Sequence, residues 1–236
     1  MATSIHQVRF PEESDVYRTA RDDLLQAELE LRRQLEWVAA LRRNLPLGGA
    51  LKEDYVFDEG DPDLDSFGVG KKIRLSELFQ DGKDSLILYS FMYGPDMARP
   101  CPSCTSILDG LNGGMHHALQ RVNVAVVAKS PIQRILMFAL QRGWHNLHLL
   151  SSAHNSFNAD YHGETTDGHQ IPALNVFVRR EGRIYHFYNT ELLYTPRSPG
   201  EEPRHVDLIW PLWNLFDLTP EGRGGDWHPA LAYQKG

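Results

Sequence analysis

Cys101-Pro102-Ser103-Cys104 holds both cysteines of this 236-residue chain. The run before the pair, Ser85–Tyr93, is apolar and aromatic and reads as a strand. The segment after it, from Thr105 onward, reads as a helix. A Cys-x-x-Cys set between a strand and a helix N-terminus strongly limits the fold. It asks for an α/β arrangement in which a sheet edge delivers two thiols to the first turn of a helix.

Bulk properties fit a packed domain and exclude several functions. Hydrophobic residues make up 42% of the chain, enough for a core of ordinary size. The formal net charge is −7, and the basic pairs Arg32-Arg33, Arg42-Arg43, Lys71-Lys72 and Arg179-Arg180 are dispersed among acids. Nucleic-acid binding, which needs a concentrated basic face, is not expected. No run of about 18 apolar residues is present, so no membrane span is expected. The start, MATSIHQVRFPEESD, has charges where a secretion signal has its apolar stretch. A cytoplasmic location is expected, where Cys-x-x-Cys is catalytic or metal-binding more often than structural.

The order of elements can be read from periodicity. Val16–Asn44 predicts one long helix with an apolar face through Leu24, Leu31, Leu35 and Leu41, capped by Ser14 and stopped by Pro46. Tyr55–Phe57 predicts a short strand and Asp58–Asp65 an acidic turn. Lys71–Phe79 predicts a strand and then a helical turn capped by Ser76. The helix after the cysteines runs at most to Arg121, with an interruption expected at Gly110–Gly114. Val122–Ala128 is a β-branched strand. Ser130 and Pro131 predict an N-cap and first position for a helix ending at Gly143. Leu147–Ser151 predicts a strand and Ser152–Gln170 a loop. Ala173–Val178 and Arg183–Asn189 predict a hairpin. An exposed excursion follows over Glu191–Arg204. Trp210, Trp213, Phe216 and Trp227 then predict a tail that docks on the body.

Strand, Cys-x-x-Cys helix, strand, helix and antiparallel hairpin is the plan of the thioredoxin fold. The expected architecture is an α/β thioredoxin-like, peroxiredoxin-related mixed sheet flanked by helices. The expected segments are an N-terminal helical extension over 1–50, the thioredoxin-like domain over 51–189 and a C-terminal aromatic extension over 190–236.

Cys101 is the expected nucleophile, because helix N-terminal N–H groups favour its thiolate. Cys104, one turn on, is the expected resolving thiol. Pro102 suits the first helical position, Ser103 completes the turn, and Arg99 would add positive charge if its side chain turned inward. Pro172 precedes the first hairpin strand, where thioredoxin-like folds place a cis-proline against the cysteines, so a cis Ile171–Pro172 bond is expected. Zinc is the chemical rival, since Cys-x-x-Cys is half a zinc site. His116-His117 cannot supply two ligands from one helix face, however, and His145, His148, His154, His162 and His169 lack ligand spacing. The acidic run Asp58–Asp65 lacks the calcium-loop offsets. No metal and no cofactor is expected. A peroxidase would need Pro and Thr or Ser at −7 and −3 from Cys101, and those places hold Gly94 and Ala98.

Several motifs together resemble the DUF899 family. They are Phe91-Met92-Tyr93-Gly94-Pro95-Asp96, Cys101-Pro102-Ser103-Cys104, Asp109-Gly110, Ser130-Pro131, Arg142-Gly143-Trp144 and Asn155 with Phe157-Asn158 and Asp160-Tyr161. His186 and Tyr188 of the hairpin and Asp217-Leu218-Thr219-Pro220 with Gly222-Arg223 extend the likeness, as do Tyr17 and Arg21. The resemblance implies a thioredoxin-like fold and dithiol–disulfide oxidoreduction without a defined substrate. The expected function is therefore thiol–disulfide exchange with a protein or small-molecule disulfide or thiol. Peroxidase activity and a non-catalytic scaffold role are the alternatives, and the long helix offers a possible homodimer contact.

Overall fold

Strands of three to seven residues build the sheet, which the computed structural model describes together with its helices over residues 5–61, 71–80, 82–201, 203–224 and 227–234. The chain divides into two compact units, Met1–Pro46 and Leu47–Gly236. The first unit is dominated by α1 (Asp15–Arg43), whose N-cap Ser14 accepts the Tyr17 N–H and whose last turn carries Arg42 and Arg43 against the negative end of the helix dipole.

The second unit holds one seven-stranded sheet. Its strands are β1 (Val56–Glu59), β2 (Lys72–Arg74), β3 (Ser85–Ser90), β4 (Asn123–Ala128), β5 (Leu149–Ser151), β6 (Leu174–Arg180) and β7 (Arg183–Asn189). They lie in the order β2-β1-β5-β4-β3-β6-β7. β3, β4 and β5 run parallel. β6 pairs antiparallel with β3, and β7 antiparallel with β6. Helix α2 (Pro102–Ala118) connects β3 to β4, and α3 (Ile132–Arg142) connects β4 to β5. Both crossovers step the same way across the sheet, and such connections are right-handed, so both helices fall on one face. Strand alternation agrees. Tyr89, Val126 and Leu174 meet Cys104, Ile107, Leu108 and Ile135 on the helix side. Leu86, Leu88, Val127 and Phe177 meet Tyr55, Phe57, Leu75 and Phe157 on the other side. The β4-β3-β6-β7 portion with α2 is the thioredoxin core, and β5, β1 and β2 extend it. The fold is thioredoxin-like, as the element order predicts.

Local signals explain the boundaries. Gly143 caps α3 in the left-handed conformation, φ 71°. Glu181 and Gly182, both at positive φ, make the two-residue hairpin turn whose twist matches the flanking strands. After β7 the chain returns to the helix side. Val206 and Trp210 are buried there, and the Trp210 indole N–H donates to Ser106 Oγ at 3.1 Å. The short helix α5 (Pro211–Phe216) then presents Trp213 and Phe216 to Trp227, with ring centroids 5.8 and 5.3 Å apart.

Several local expectations need correction. α2 runs unbroken through Gly110, Gly113 and Gly114. A helical glycine costs about 1 kcal/mol against alanine, and burial of Cys104, Ile107, Leu108 and Met115 along the same helix outweighs that. Ser130 does not cap α3; Pro131 occupies that place. Ser130 is fully buried, and its hydroxyl donates to Gly94 O at 2.9 Å. Ser76 lies inside the 3-10 turn Leu75–Leu78 and bonds Asp54, while Glu77 accepts the Arg74 N–H that opens the turn. The polar stretch 152–170 contains a helical turn, α4 (Phe157–Asp160), because Phe157 finds a buried aromatic pocket. Part of the predicted acidic turn falls on residues 62–70, outside the described residues.

The Ile171–Pro172 bond is trans: the described residues contain no cis peptide. The segment obtains its bend differently. The Ala173 N–H donates to Ile171 O at 3.0 Å across Pro172, an inverse γ-turn that suits proline's fixed φ. Ile171 N–H is held by Gly163 O at 2.8 Å.

Candidate active site

The cysteines sit where the carboxyl end of β3 feeds α2. In open α/β sheets this edge collects ligands, because the loops there leave a crevice that helix N-termini face. The intervening loop is tied down at several points. Phe91 N–H donates to Val127 O at 2.8 Å, and Ser130 N–H to Tyr93 O at 2.9 Å. The Arg134 guanidinium bonds Pro95 O and Met97 O. Cys101 N–H donates to Met92 O at 3.0 Å. Cys101 is thus the N-cap of α2, with Pro102 as the first helical residue. Thr105 returns its hydroxyl to Cys101 O at 2.9 Å, which fixes the cap from within the first turn.

The two thiols are unequal. Cys101 is half-buried and Cys104 is 2% exposed, both are free, and they approach to 3.6 Å. The Cys104 thiol beside it pulls the Cys101 pKa down to about 6, backbone N–H groups of Cys104 and Ser103 add to this, and burial opposes it. Cys104 shifts the other way, pushed up first by the Cys101 sulfur and then by burial. The arrangement is one half-buried thiol with a lowered pKa and one buried thiol with a raised pKa behind it.

Tyr89 stands behind Cys104. It is fully buried on β3, and its hydroxyl faces the Cys104 thiol without a well-formed hydrogen bond among the described residues. Burial keeps the phenol protonated. In the sequence Tyr89 is one more residue of the apolar, aromatic run Ser85–Tyr93. The available signal was its odd position in β3, which puts it on the face that receives α2.

The other predicted groups divide. Pro102 and Ser103 follow Cys101 in the first turn of α2. Arg99 does not turn inward; its side chain is exposed and plays no part in lowering the Cys101 pKa. Pro172 bends the chain into β6 through a trans bond. His116 and His117 sit at the far end of α2, about 18 Å along the helix from Cys104. Among the described residues, no three His, Cys, Asp or Glu side chains gather as a metal site. The thiolate makes a direct prediction. Alkylation of the reduced protein by iodoacetamide rises through about pH 6 and levels off before pH 8, since a lowered pKa leaves about ten thiolates per thiol at pH 7. A midpoint near 8.5, that of an ordinary cysteine, would refute the assignment.

The model of a bacterial protein family of unknown function, DUF899, matches residues 7–235. The chain belongs to the DUF899 family. Its family motifs fall into two groups in this structure. On the helix side, Asp109 of α2 accepts from the Trp144 indole at 2.8 Å and pairs with Arg142, which locks α2 to the end of α3. On the opposite side, Asp160 accepts from Tyr55 at 2.8 Å and Ser156 at 2.7 Å, while Asn158 is buried and bonds Ser152 and Gln170. The Asn155–Tyr161 block therefore braces the sheet face away from the thiols. No curated protein matches this DUF899 chain. Among solved structures it is similar to peroxidoxin BcpB from Mycobacterium tuberculosis, 18% identical over 71% of this chain and 95% of that one, with a TM-score of 0.44. It is also similar to thioredoxin peroxidase I of Plasmodium yoelii (20% identical, 81% and 100% covered, TM-score 0.46). A third is the pneumococcal exposed lipoprotein thioredoxin Etrx1 from Streptococcus pneumoniae (15%, 66% and 96%, TM-score 0.40). Among the described residues no helix is long and apolar enough to cross a membrane.

Proposed function

We propose that this DUF899 protein is a dithiol–disulfide oxidoreductase with Cys101 as nucleophile and Cys104 as resolving thiol. The unequal pair carries this reading: a half-buried thiolate at a helix N-cap, with a buried, protonated thiol one turn behind it. The Cys101 thiolate attacks one sulfur of a substrate disulfide; that S–S bond breaks and the second sulfur leaves as thiolate. Cys104 then gives its proton to the departing sulfur and attacks Cys101 Sγ. The first substrate sulfur leaves, a Cys101–Cys104 disulfide forms, and the substrate has gained two electrons. An external thiol reductant reverses the last steps and restores the pair. A helix N-terminus suits this cycle, because it stabilises the thiolate both as attacker and as leaving group.

Gly94 and Ala98 stand where a peroxidase would place Pro and Thr or Ser, which supports disulfide exchange over peroxide reduction. The reading is tested by equilibrating the protein in glutathione buffers of graded potential and counting free thiols. A single two-electron transition at defined potential is expected. Thiols that never pair would support a scaffold role, and rapid peroxide consumption coupled to a thioredoxin system would support the peroxidase.

A further inference from the structure

A cleft of about 520 Å³ is walled on one side by the Ala98–Pro100 segment, the stretch of chain that leads directly into Cys101. Three arginines, Arg99, Arg134 and Arg142, converge on it, and no carboxylate is among its lining residues. This contrasts with a chain whose net charge is −7. The charge of Arg142 is balanced by Asp109. Arg134 spends its bonds on two neutral carbonyls and lies over the Tyr93 ring at 4.8 Å. Arg99 has no hydrogen-bond or ion-pair partner among the described residues. Two guanidinium charges are therefore uncompensated in one concave space. Such a grouping repels itself unless an anion enters.

We propose that this cleft binds the carboxylate of a low-molecular-weight disulfide substrate and so selects anionic disulfides for Cys101. The inference rests on the oxidoreductase reading. Arg99 and Cys101 are two residues apart in the chain, so their Cα atoms lie within about 7 Å. The proposal places the substrate's carboxylate on Arg99 and its disulfide at Cys101, with the organic spacer between them. The guanidinium fork of Arg99 is entirely free and matches a carboxylate bidentately. Phe138 and Met137 give the same cleft an apolar wall for the spacer. The cleft volume lies in the range that takes small organic ligands.

The chemistry is the exchange already written, with the anion held while the Cys101 thiolate breaks the substrate S–S bond. The test uses full-length protein carrying Cys104→Ser, so that the first mixed disulfide accumulates. Three probes are compared: 5,5′-dithiobis(2-nitrobenzoate), which is anionic; 4,4′-dithiodipyridine, which is neutral; and cystamine, which is cationic. Each rate is divided by that of 2-mercaptoethanol with the same probe, which removes intrinsic reactivity. The normalised anionic-to-cationic ratio is expected to exceed one by about tenfold. It falls about tenfold in Arg99→Ala and inverts in Arg99→Glu. Gln141→Glu, an exposed change on the opposite wall, lowers the ratio without touching an arginine. A ratio near one, or one unmoved by all three variants, overturns the cleft proposal while leaving the oxidoreductase reading intact. Failure of all three probes to attach to Cys101 overturns both.

Discussion

Cys101→Ser is expected to abolish the proposed disulfide exchange, with a loss on the order of a thousandfold or more, because a hydroxyl near neutral pH offers no comparable nucleophile. The fold should survive, since serine is itself a favoured N-cap and keeps an acceptor where Cys101 Sγ receives the Cys104 N–H. Insulin-disulfide reduction measures the loss, and near-wild-type turnover would refute the nucleophile assignment. Cys104→Ser gives a different outcome. Attack still occurs, but nothing behind Cys101 expels the bound substrate, so mixed disulfides accumulate and can be isolated by mass. The two variants separate attack from resolution. If Cys104→Ser is the inert one and Cys101→Ser forms the adduct, the roles are reversed. That would contradict the burial order, in which Cys104 is 2% exposed and out of reach of a bulky disulfide.

Trp144→Ala should cost about 3–5 kcal/mol, the range for removing a large buried aromatic. Trp144 is 1% exposed, meets Phe91 and Phe138 edge-on at 5.7 and 5.5 Å, and donates its indole N–H to Asp109. Domains of this kind are stable by about 5–15 kcal/mol, so the variant stands near unfolding at physiological temperature. Trp144→Phe keeps most of the ring contact and loses chiefly the bond to Asp109, so its cost is smaller, about 1–2 kcal/mol. Urea unfolding followed by circular dichroism measures both. A cost below about 1 kcal/mol for the alanine variant would show that this junction does not hold the helix layer. Phe91 also belongs to the loop that delivers Cys101, so the alanine variant should broaden the pH profile of alkylation as well as lower stability.

Much of the fold was legible because its signals are local. The β-branched run at β4, the apolar run at β3, the Ser14 cap and the stop at Gly143 each act over a few residues, and α1, β4 and α3 stand within one residue of their predicted places. The failures share a cause. Gly110, Gly113 and Gly114 weaken a helix locally, but contacts made by other residues of α2 decide its length. Ser130 looks like a cap by position, yet burial against the Gly94 loop claims its hydroxyl. Phe157 turns a polar stretch into a helical turn because a pocket formed by distant strands receives it. Pro172 was read by its place in the order of elements, while the bonds of Ile171 and Ala173 set its trans geometry.

The Cys-Pro-Ser-Cys pair shows the same division at the site itself. Sequence alone placed both sulfurs at a helix start, since Cys-Pro-x-Cys after an apolar strand is a local pattern with a local geometry. It also supplied their order along the helix. Tertiary structure decided which sulfur is buried, and hence which is thiolate, because that depends on Tyr89 and the helix-side core closing over Cys104. It also decided where Arg99 goes. Two residues from Cys101, it lines the same cleft as Arg134 and Arg142, which α3 brings in from more than thirty positions along the chain. Charge neighbourhoods of this kind are set by packing between elements, and no window of sequence contains them.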